Sequence, residues 1–179
     1  NPGGNISAGE SYVIFGKPDS ATINLAKLGA NGFRIDGSDV SDSSGYSVSG
    51  AGDVNGDGYS DVIAGAPLFD KGQDNEGAVF LFYGSATGLA GTPVLLECNQ
   101  ADAQMGISVS GAGDVNHDGF SDIIVGAPFY DHGQNNEGVI FVYPGSANGI
   151  KSAPALILDQ NQAGARLGIA VSSAGDVNG

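Results

Sequence analysis

The chain has 179 residues, enough for one ordinary domain, and 31 glycines with 41% hydrophobic residues indicate a turn-rich all-β protein. Its net charge of −14 argues against binding to nucleic acid or to anionic membranes. The apolar runs are too short for membrane insertion of this segment. Its single cysteine, Cys98, excludes an intrachain disulfide and is interpreted as a small buried hydrophobe.

The first 44 residues predict two strands. Residues 1–9 are rich in Gly, Ser and Asn and are interpreted as loop. A strand is expected over residues 11–16, followed by a longer excursion over 17–31. A second short strand is expected over 33–36, before a polar turn to Ser44. Residues 1–44 are interpreted as an incomplete first unit, a partial blade of the repeat described below, that contributes a third and a fourth strand.

Residues 45–105 form the first complete unit. Tyr46 and Val48 alternate with Ser47 and Ser49, which is the period-two pattern of a strand. An acidic loop follows, and Pro67 ends the strand after it. A turn is expected over residues 84–88. Four strands are predicted in this unit, at residues 46–49, 62–66, 77–83 and 94–97.

The same order of elements repeats along the chain. Residues 106–167 form a second complete unit, and residues 168–179 begin a further unit that stops inside its acidic loop. Successive acidic loops begin at Asp53, Asp114 and Asp176, so the period is 61 and then 62 residues (114 − 53 and 176 − 114). Serial units of four short antiparallel strands predict a β-propeller with an incomplete set of blades. We expect the remaining blades to come from the rest of a parent chain or from other chains.

The acidic loop is the chemical motif of each unit. Its two complete copies read DVNGDGYSD from Asp53 and DVNHDGFSD from Asp114, with oxygen-bearing side chains at positions 1, 3, 5 and 9. Three carboxylates drawn together repel one another without a cation, and Ca²⁺ accepts about 6–8 oxygen ligands in irregular geometry. An EF-hand is excluded because its twelfth position requires glutamate, whereas Ala64 and Val125 stand there. A metal-free turn built on Asp, Asn and Gly is the alternative.

The candidate Ca²⁺ ligands follow from this spacing, with position 7 offering a backbone carbonyl. The valine at position 2 is expected to point away from the ion, and the third loop is incomplete. The candidates are Asp53, Asn55, Asp57, Tyr59 and Asp61 in the first loop; Asp114, Asn116, Asp118, Phe120 and Asp122 in the second; and Asp176 and Asn178 in the third.

Three motifs in fixed order resemble a known family. Gly-x-Ser-Val-Ser, the acidic loop and Gly-Ala-Pro together resemble the FG-GAP repeat, which builds the β-propeller of integrin α subunits and of many extracellular proteins. The resemblance implies that the acidic loop joins the first two strands of a blade and binds Ca²⁺ on one face. It differs where Ser44, Met105 and Leu167 replace the leading aromatic residue, which should alter packing and not metal binding.

The function expected from the sequence is that of a Ca²⁺-stabilised propeller module of a secreted or cell-surface protein. The resemblance implies adhesion or protein binding, with a protein or glycan partner on the face opposite the calcium loops, and we expect no enzymatic activity. One alternative is a scaffold attached to or forming a hydrolase, although the non-repeated acids Glu10, Glu97 and Asp102 are isolated in the sequence. Another is a purely architectural repeat. An exposed apolar patch on the face opposite the loops would favour binding.

Overall fold

The computed structural model describes residues 8–37 and 41–175, and β-strands are its principal secondary structure. Short 3₁₀ turns at Leu25–Lys27 and Gly29–Asn31 occupy the excursion predicted over residues 17–31. The strands are β1 (Glu10–Ile14), β2 (Gly32–Asp36), β3 (Ser47–Gly52), β4 (Asp61–Ala66), β5 (Ala78–Ser85), β6 (Gly88–Glu97), β7 (Ser108–Gly113), β8 (Asp122–Ala127), β9 (Val139–Tyr143) and β10 (Leu156–Leu158).

The strands form three antiparallel sheets in sequence order. The first sheet pairs β1 with β2, the second has the order β3-β4-β5-β6, and the third has the order β7-β8-β9-β10. Within each sheet, every strand therefore pairs with its neighbour in the sequence, as expected for a blade. The prediction of an all-β chain with four-stranded antiparallel blades and an incomplete set of them is confirmed.

The main hydrophobic core lies between the second and third sheets. Side chains alternate across a strand, so one face of β4 and β5 turns Ile63, Val79 and Leu81 toward the third sheet. On the third sheet, Ile123 and Val125 belong to the same buried cluster. Sheet packing through β-branched and aliphatic residues is what holds the two blades together.

The opposite face of the second sheet builds a smaller core. Ala66, Phe69 and Ala78 are buried there, with Phe80 and Leu95 packed against them. Phe69 and Phe80 meet edge to face, with ring centroids 5.5 Å apart. Both faces of the second sheet are thus apolar, which is the pattern required of a blade that packs between two others.

Close backbone approach joins the second sheet to the third. A Cβ at Gly65 would lie 1.9 Å from the Gly106 carbonyl oxygen, so this position of β4 requires glycine. The Ser47 hydroxyl also donates to the Gly106 carbonyl at 2.8 Å. The same approach recurs one repeat later, where a Cβ at Gly126 would lie 1.8 Å from the Gly168 carbonyl oxygen.

The start of β6 differs from the sequence prediction, and the start of the further unit adds a contact with β7. β6 begins at Gly88 and not at Val94, because β5 and β6 form a tight hairpin in which Ser85 pairs with Gly88 and the Ser85 hydroxyl donates to the Gly88 carbonyl (2.7 Å). The predicted turn over residues 84–88 is correspondingly shorter. At the other end, Val171 N–H donates to the Ser108 hydroxyl at 2.9 Å, so the start of the further unit runs beside β7.

Candidate metal site

The first acidic loop connects β3 to β4 and is closed by the side chain of its first residue. Asp53 Oδ1 accepts hydrogen bonds from the N–H groups of Gly56 (2.7 Å) and Asp57 (3.1 Å). Its other oxygen, Oδ2, accepts one from the N–H of Gly58 at 2.8 Å. Gly56 and Gly58 have φ angles of 73° and 90°, a left-handed conformation that glycine adopts readily. The backbone therefore curls around the Asp53 carboxylate.

The side chains at positions 3 and 5 continue this turn. Asn55 Oδ1 accepts from the N–H of Asp57 (3.1 Å), and Asn55 Nδ2 donates to Asp57 Oδ2 (2.9 Å). Asp57 Oδ1 accepts from the N–H of Tyr59 at 2.9 Å. These bonds belong to the Asx-turn geometry that the metal-free alternative also predicts. They leave lone pairs available, because an ionised carboxylate has about four acceptor sites.

Asp61, at position 9, is fully buried and fastens the loop to the sheet. Its Oδ2 accepts from the N–H of Val54 and its Oδ1 from the N–H of Gly84, both at 2.8 Å. The pKa of Asp61 is raised above its ordinary value, mainly by burial, and these two hydrogen bonds oppose that shift. The charges of Asp57 and Asp53 raise that pKa further, so the three carboxylates of the loop act on one another. A cation placed among them would relieve this repulsion.

The second acidic loop, between β7 and β8, repeats this geometry. Asp122 is fully buried, like Asp61. The pKa of Asp114 is lowered, mainly because its carboxylate accepts a hydrogen bond from Gly119 N–H, and burial opposes this shift. The equivalent hydrogen bonds are Asp118 N to Asp114 Oδ1 (3.0 Å), Gly119 N to Asp114 Oδ2 (2.9 Å), Asp118 N to Asn116 Oδ1 (2.9 Å), Asn116 Nδ2 to Asp118 Oδ2 (2.8 Å), Phe120 N to Asp118 Oδ1 (3.0 Å), Val115 N to Asp122 Oδ2 (2.8 Å) and Gly145 N to Asp122 Oδ1 (2.9 Å).

The donor chemistry of each loop fits a hard cation. Within residues 8–37 and 41–175, no group of three or more His, Cys, Asp or Glu side chains is arranged to hold a metal ion, those of the two loops included. Each loop instead combines three carboxylates with an amide and the backbone carbonyl expected at position 7. Nitrogen and sulfur ligands are absent from this set, and an oxygen-only set suits Ca²⁺ better than softer metals. Asp176 and Asn178, the candidates of the third loop, lie outside the described residues.

The two loops differ in their surroundings although their sequences are nearly the same. Val54 is 0% exposed and belongs to the core between the sheets, whereas Val115 at the same loop position is 52% exposed. At position 4, Gly56 faces the ring of Phe120, while His117 of the second loop is exposed. Val54 packs into the core between the sheets, so whether the valine side chain is buried depends on the neighbouring sheet.

The burial of two glutamates was not predicted from the sequence. Glu76 and Glu137 occupy equivalent positions before β5 and β9, and both are 0% exposed. Glu76 Oε1 accepts from Lys71 N–H (2.9 Å), and Glu137 Oε1 accepts from His132 N–H (2.7 Å). Among the described residues, Oε2 of both glutamates is buried and has no hydrogen-bond partner. Their recurrence in the sequence was the available signal, but glutamate in a polar loop gives no indication of burial.

The non-repeated acids take part in separate surface interactions. Glu10 lies 3.7 Å from the Arg34 guanidinium, and Glu97 lies 3.3 Å from Lys71 Nζ. Asp102 Oδ1 accepts from the Asn75 side chain at 3.1 Å. Glu97 and Asp102 thus contact different residues of the loop between β4 and β5, whereas Glu10 contacts Arg34 of β2.

These observations define the class of protein. Serial four-stranded antiparallel sheets pack face to face, and an acidic loop joins the first two strands of each. This is a repeat protein of the β-propeller type. In the part of the chain that the structure describes, no helix is long and apolar enough to cross a membrane.

Comparison with known proteins identifies the family. Residues 44–82 and 105–143 each match the FG-GAP repeat. Integrin alpha-7 of Homo sapiens is 35% identical over 169 residues, which cover 93% of this chain and 13% of that protein. Integrin alpha-6 of Gallus gallus is 35% identical over 171 residues, covering 90% of this chain and 15% of that protein. Integrin alpha-PS3 of Drosophila melanogaster is 35% identical over 160 residues, covering 88% of this chain and 13% of that protein.

The chain belongs to the FG-GAP repeat proteins of the integrin alpha type. It spans between 13% and 15% of the length of these three relatives.

Proposed function

We propose that this chain is a Ca²⁺-stabilised β-propeller module of a secreted or cell-surface protein, and that it mediates adhesion or protein binding without enzymatic activity. The observation that carries the proposal is the pair of acidic loops. They share one hydrogen-bonding geometry in two blades of a chain that is 35% identical to an integrin alpha subunit. The proposed ligands are those predicted at positions 1, 3, 5, 7 and 9 of each loop.

The proposed role of Ca²⁺ is structural. The loops are exposed at their tips but end in the buried carboxylates of Asp61 and Asp122. A bound cation would neutralise the repulsion among the three carboxylates and hold the hairpins that begin β4 and β8. Extracellular modules can use weak sites, with Kd on the order of 10⁻⁴–10⁻³ M, because calcium is abundant there.

The proposed partner surface is the face opposite the acidic loops. β3 runs toward the first loop, so the residue before it, Tyr46, lies at the other end of the strand. Tyr46 is 65% exposed, and Ile169 at the equivalent repeat position is 59% exposed. We assign recognition of a protein or glycan to these two exposed side chains, whereas Ile107 at the same position of the second unit is half-buried.

Thermal unfolding tests the calcium role. The unfolding midpoint should rise on titration with Ca²⁺ relative to EDTA, and excess Mg²⁺ should have a smaller effect. A site that binds only the native state adds RT ln(1 + [L]/Kd), about 2.7 kcal/mol at 100 times Kd. Asp57→Ala and Asp118→Ala should each reduce the rise. Equal midpoints in EDTA and in Ca²⁺ would show that the loops are metal-free turns.

Binding to arrays of immobilised extracellular proteins and glycans tests the surface. A partner detected with the wild-type chain should bind Tyr46→Ser and Ile169→Ser more weakly. The matched control is Leu156→Ser, because Leu156 is 51% exposed but lies on the outer strand β10. Equal loss in all three variants would contradict the assignment to this face.

A further inference from the structure

The two acidic loops are in direct contact across the interface between the second and third sheets. Ser121 N–H, at position 8 of the second loop, donates to the carbonyl of Asp53, at position 1 of the first, at 2.9 Å. The ring of Phe120 covers Gly56, where a Cβ would lie 2.5 Å from Phe120 Cε1. A side chain such as that of His117 fits position 4 of the second loop, but in the first loop the neighbouring loop occupies this space.

A second connection runs between the buried carboxylates of the two loops. Asp122 Oδ1 accepts from Gly145 N–H (2.9 Å), and the next N–H in the chain, that of Ser146, donates to the Val54 carbonyl (3.0 Å). Val54 N–H in turn donates to Asp61 Oδ2 (2.8 Å). Three hydrogen bonds and two peptide segments therefore link position 9 of one loop to position 9 of the other.

We propose that the two loops bind cations with positive coupling, so that occupation of either loop raises the affinity of the other. The proposal rests on the proposed function, because it requires both loops to bind Ca²⁺. The peptide groups of Asp53, Val54 and Ser121 lie within the loops and also form the bridges between them. Ordering these groups in one loop lowers the entropy that must still be lost when the second loop orders.

Repulsion between two bound cations acts in the opposite direction. The outer residues of both loops, among them Asp57 and Asp118, are exposed, so water and salt screen this repulsion. The bridges are backbone hydrogen bonds and packing contacts at the buried end of the loops, where screening is weak. Raising the salt concentration should therefore not reduce the coupling.

Site-resolved calcium titration followed by ¹H–¹⁵N NMR tests the proposal. The amides of Gly58 and Gly119 donate to the position 1 carboxylates, so each reports on one loop. In Asp118→Ala, the Gly58 signal should titrate at a calcium concentration at least about five-fold higher than in the wild type. In Asp57→Ala, the Gly119 signal should also titrate at a higher calcium concentration, because coupling between two sites is reciprocal. In the wild type, both signals should follow curves steeper than those of a single site.

Hydrogen exchange at the bridges provides a second measurement. In Asp118→Ala, where the second loop is disabled, Ca²⁺ should slow exchange of the Ser121 and Ser146 amides. The amide of Ile140, in β9 of the same sheet but outside the bridges, should change much less. General stabilisation of the third sheet would instead slow all three equally and would overturn the proposal.

The outcomes separate this proposal from the one on which it rests. Equal titration midpoints in the wild type and in the single-loop variants, with single-site curves, would overturn the coupling and leave calcium binding intact. Tighter binding in the single-loop variants would also overturn it, because the coupling would then be negative. Absence of any calcium-dependent change in the wild type would overturn the proposed function, and the coupling with it.

Discussion

The aspartate at position 9 has a structural role that can be measured in the absence of metal. Asp61 is 0% exposed, and its two oxygens accept hydrogen bonds from Val54 N–H and Gly84 N–H, each at 2.8 Å. Asp61→Asn keeps the size of the side chain but replaces one acceptor oxygen with an NH₂ group. That group would face a backbone N–H, so one buried donor would lose its partner.

The expected effect is large for a change of one atom. A hydrogen bond to a charged group contributes about 1.5–3 kcal/mol, and an unsatisfied buried donor costs a similar amount. Asp61→Asn in EDTA should therefore lower the free energy of unfolding by about 2–4 kcal/mol. Urea unfolding followed by far-ultraviolet circular dichroism measures this change.

Asp57→Asn is the matched control. Asp57 is exposed, and its carboxylate accepts local bonds from Tyr59 N–H and the Asn55 side chain. Its replacement should change stability little in EDTA while still weakening calcium binding. Equal stability of Asp61→Asn and the wild type in EDTA would refute the structural role of the buried carboxylate.

Two further predictions compare equivalent positions of the repeat by urea unfolding in EDTA. Val54→Ala removes two buried methyl groups and should cost about 2–3 kcal/mol, whereas Val115→Ala, at an exposed position, should stay within about 0.5 kcal/mol. Similar losses at both sites would contradict the packing of Val54 between the sheets. Gly65→Ala would place a Cβ 1.9 Å from the Gly106 carbonyl oxygen and should destabilise by about 1–3 kcal/mol. Gly50→Ala has no atom within 4 Å of its Cβ and should change stability by less than about 1 kcal/mol, so equal effects would argue against this contact.

Much of the fold could be predicted from local sequence signals. Alternation such as that of Tyr46 to Ser49 marked the strands, and the recurrence of the acidic loop gave the period. Local turn chemistry also marked the loops, because Asp, Asn and Gly determine their hydrogen bonds without help from distant residues. The predicted start of β6 at Val94 was wrong, because the pairing of Ser85 with Gly88 extends the hairpin beyond the strongly apolar residues.

What depends on neighbouring sheets could not be read from one repeat. Val54 and Val115 stand in the same Asp-Val-Asn context, but their exposures are 0% and 52%. Burial of Glu76 likewise depends on contacts outside its own loop, such as the bond from Met105 N–H to the Glu76 carbonyl (3.0 Å). The bridge from Ser121 to Asp53 involves only backbone atoms, which carry no sequence signature.

The sequential pairing of strands has a consequence for the order of folding. Within each four-stranded sheet, all pairings close short segments, whereas contacts between sheets join distant residues, such as Tyr83 and Ile150, 67 positions apart. Local pairings lose less chain entropy and form first, so each sheet can assemble before it docks on the next. Total stability then approximates a sum of sheet terms and interface terms. A chain built in this way can evolve by duplicating one repeat, because each new copy brings both halves of the interface that it needs.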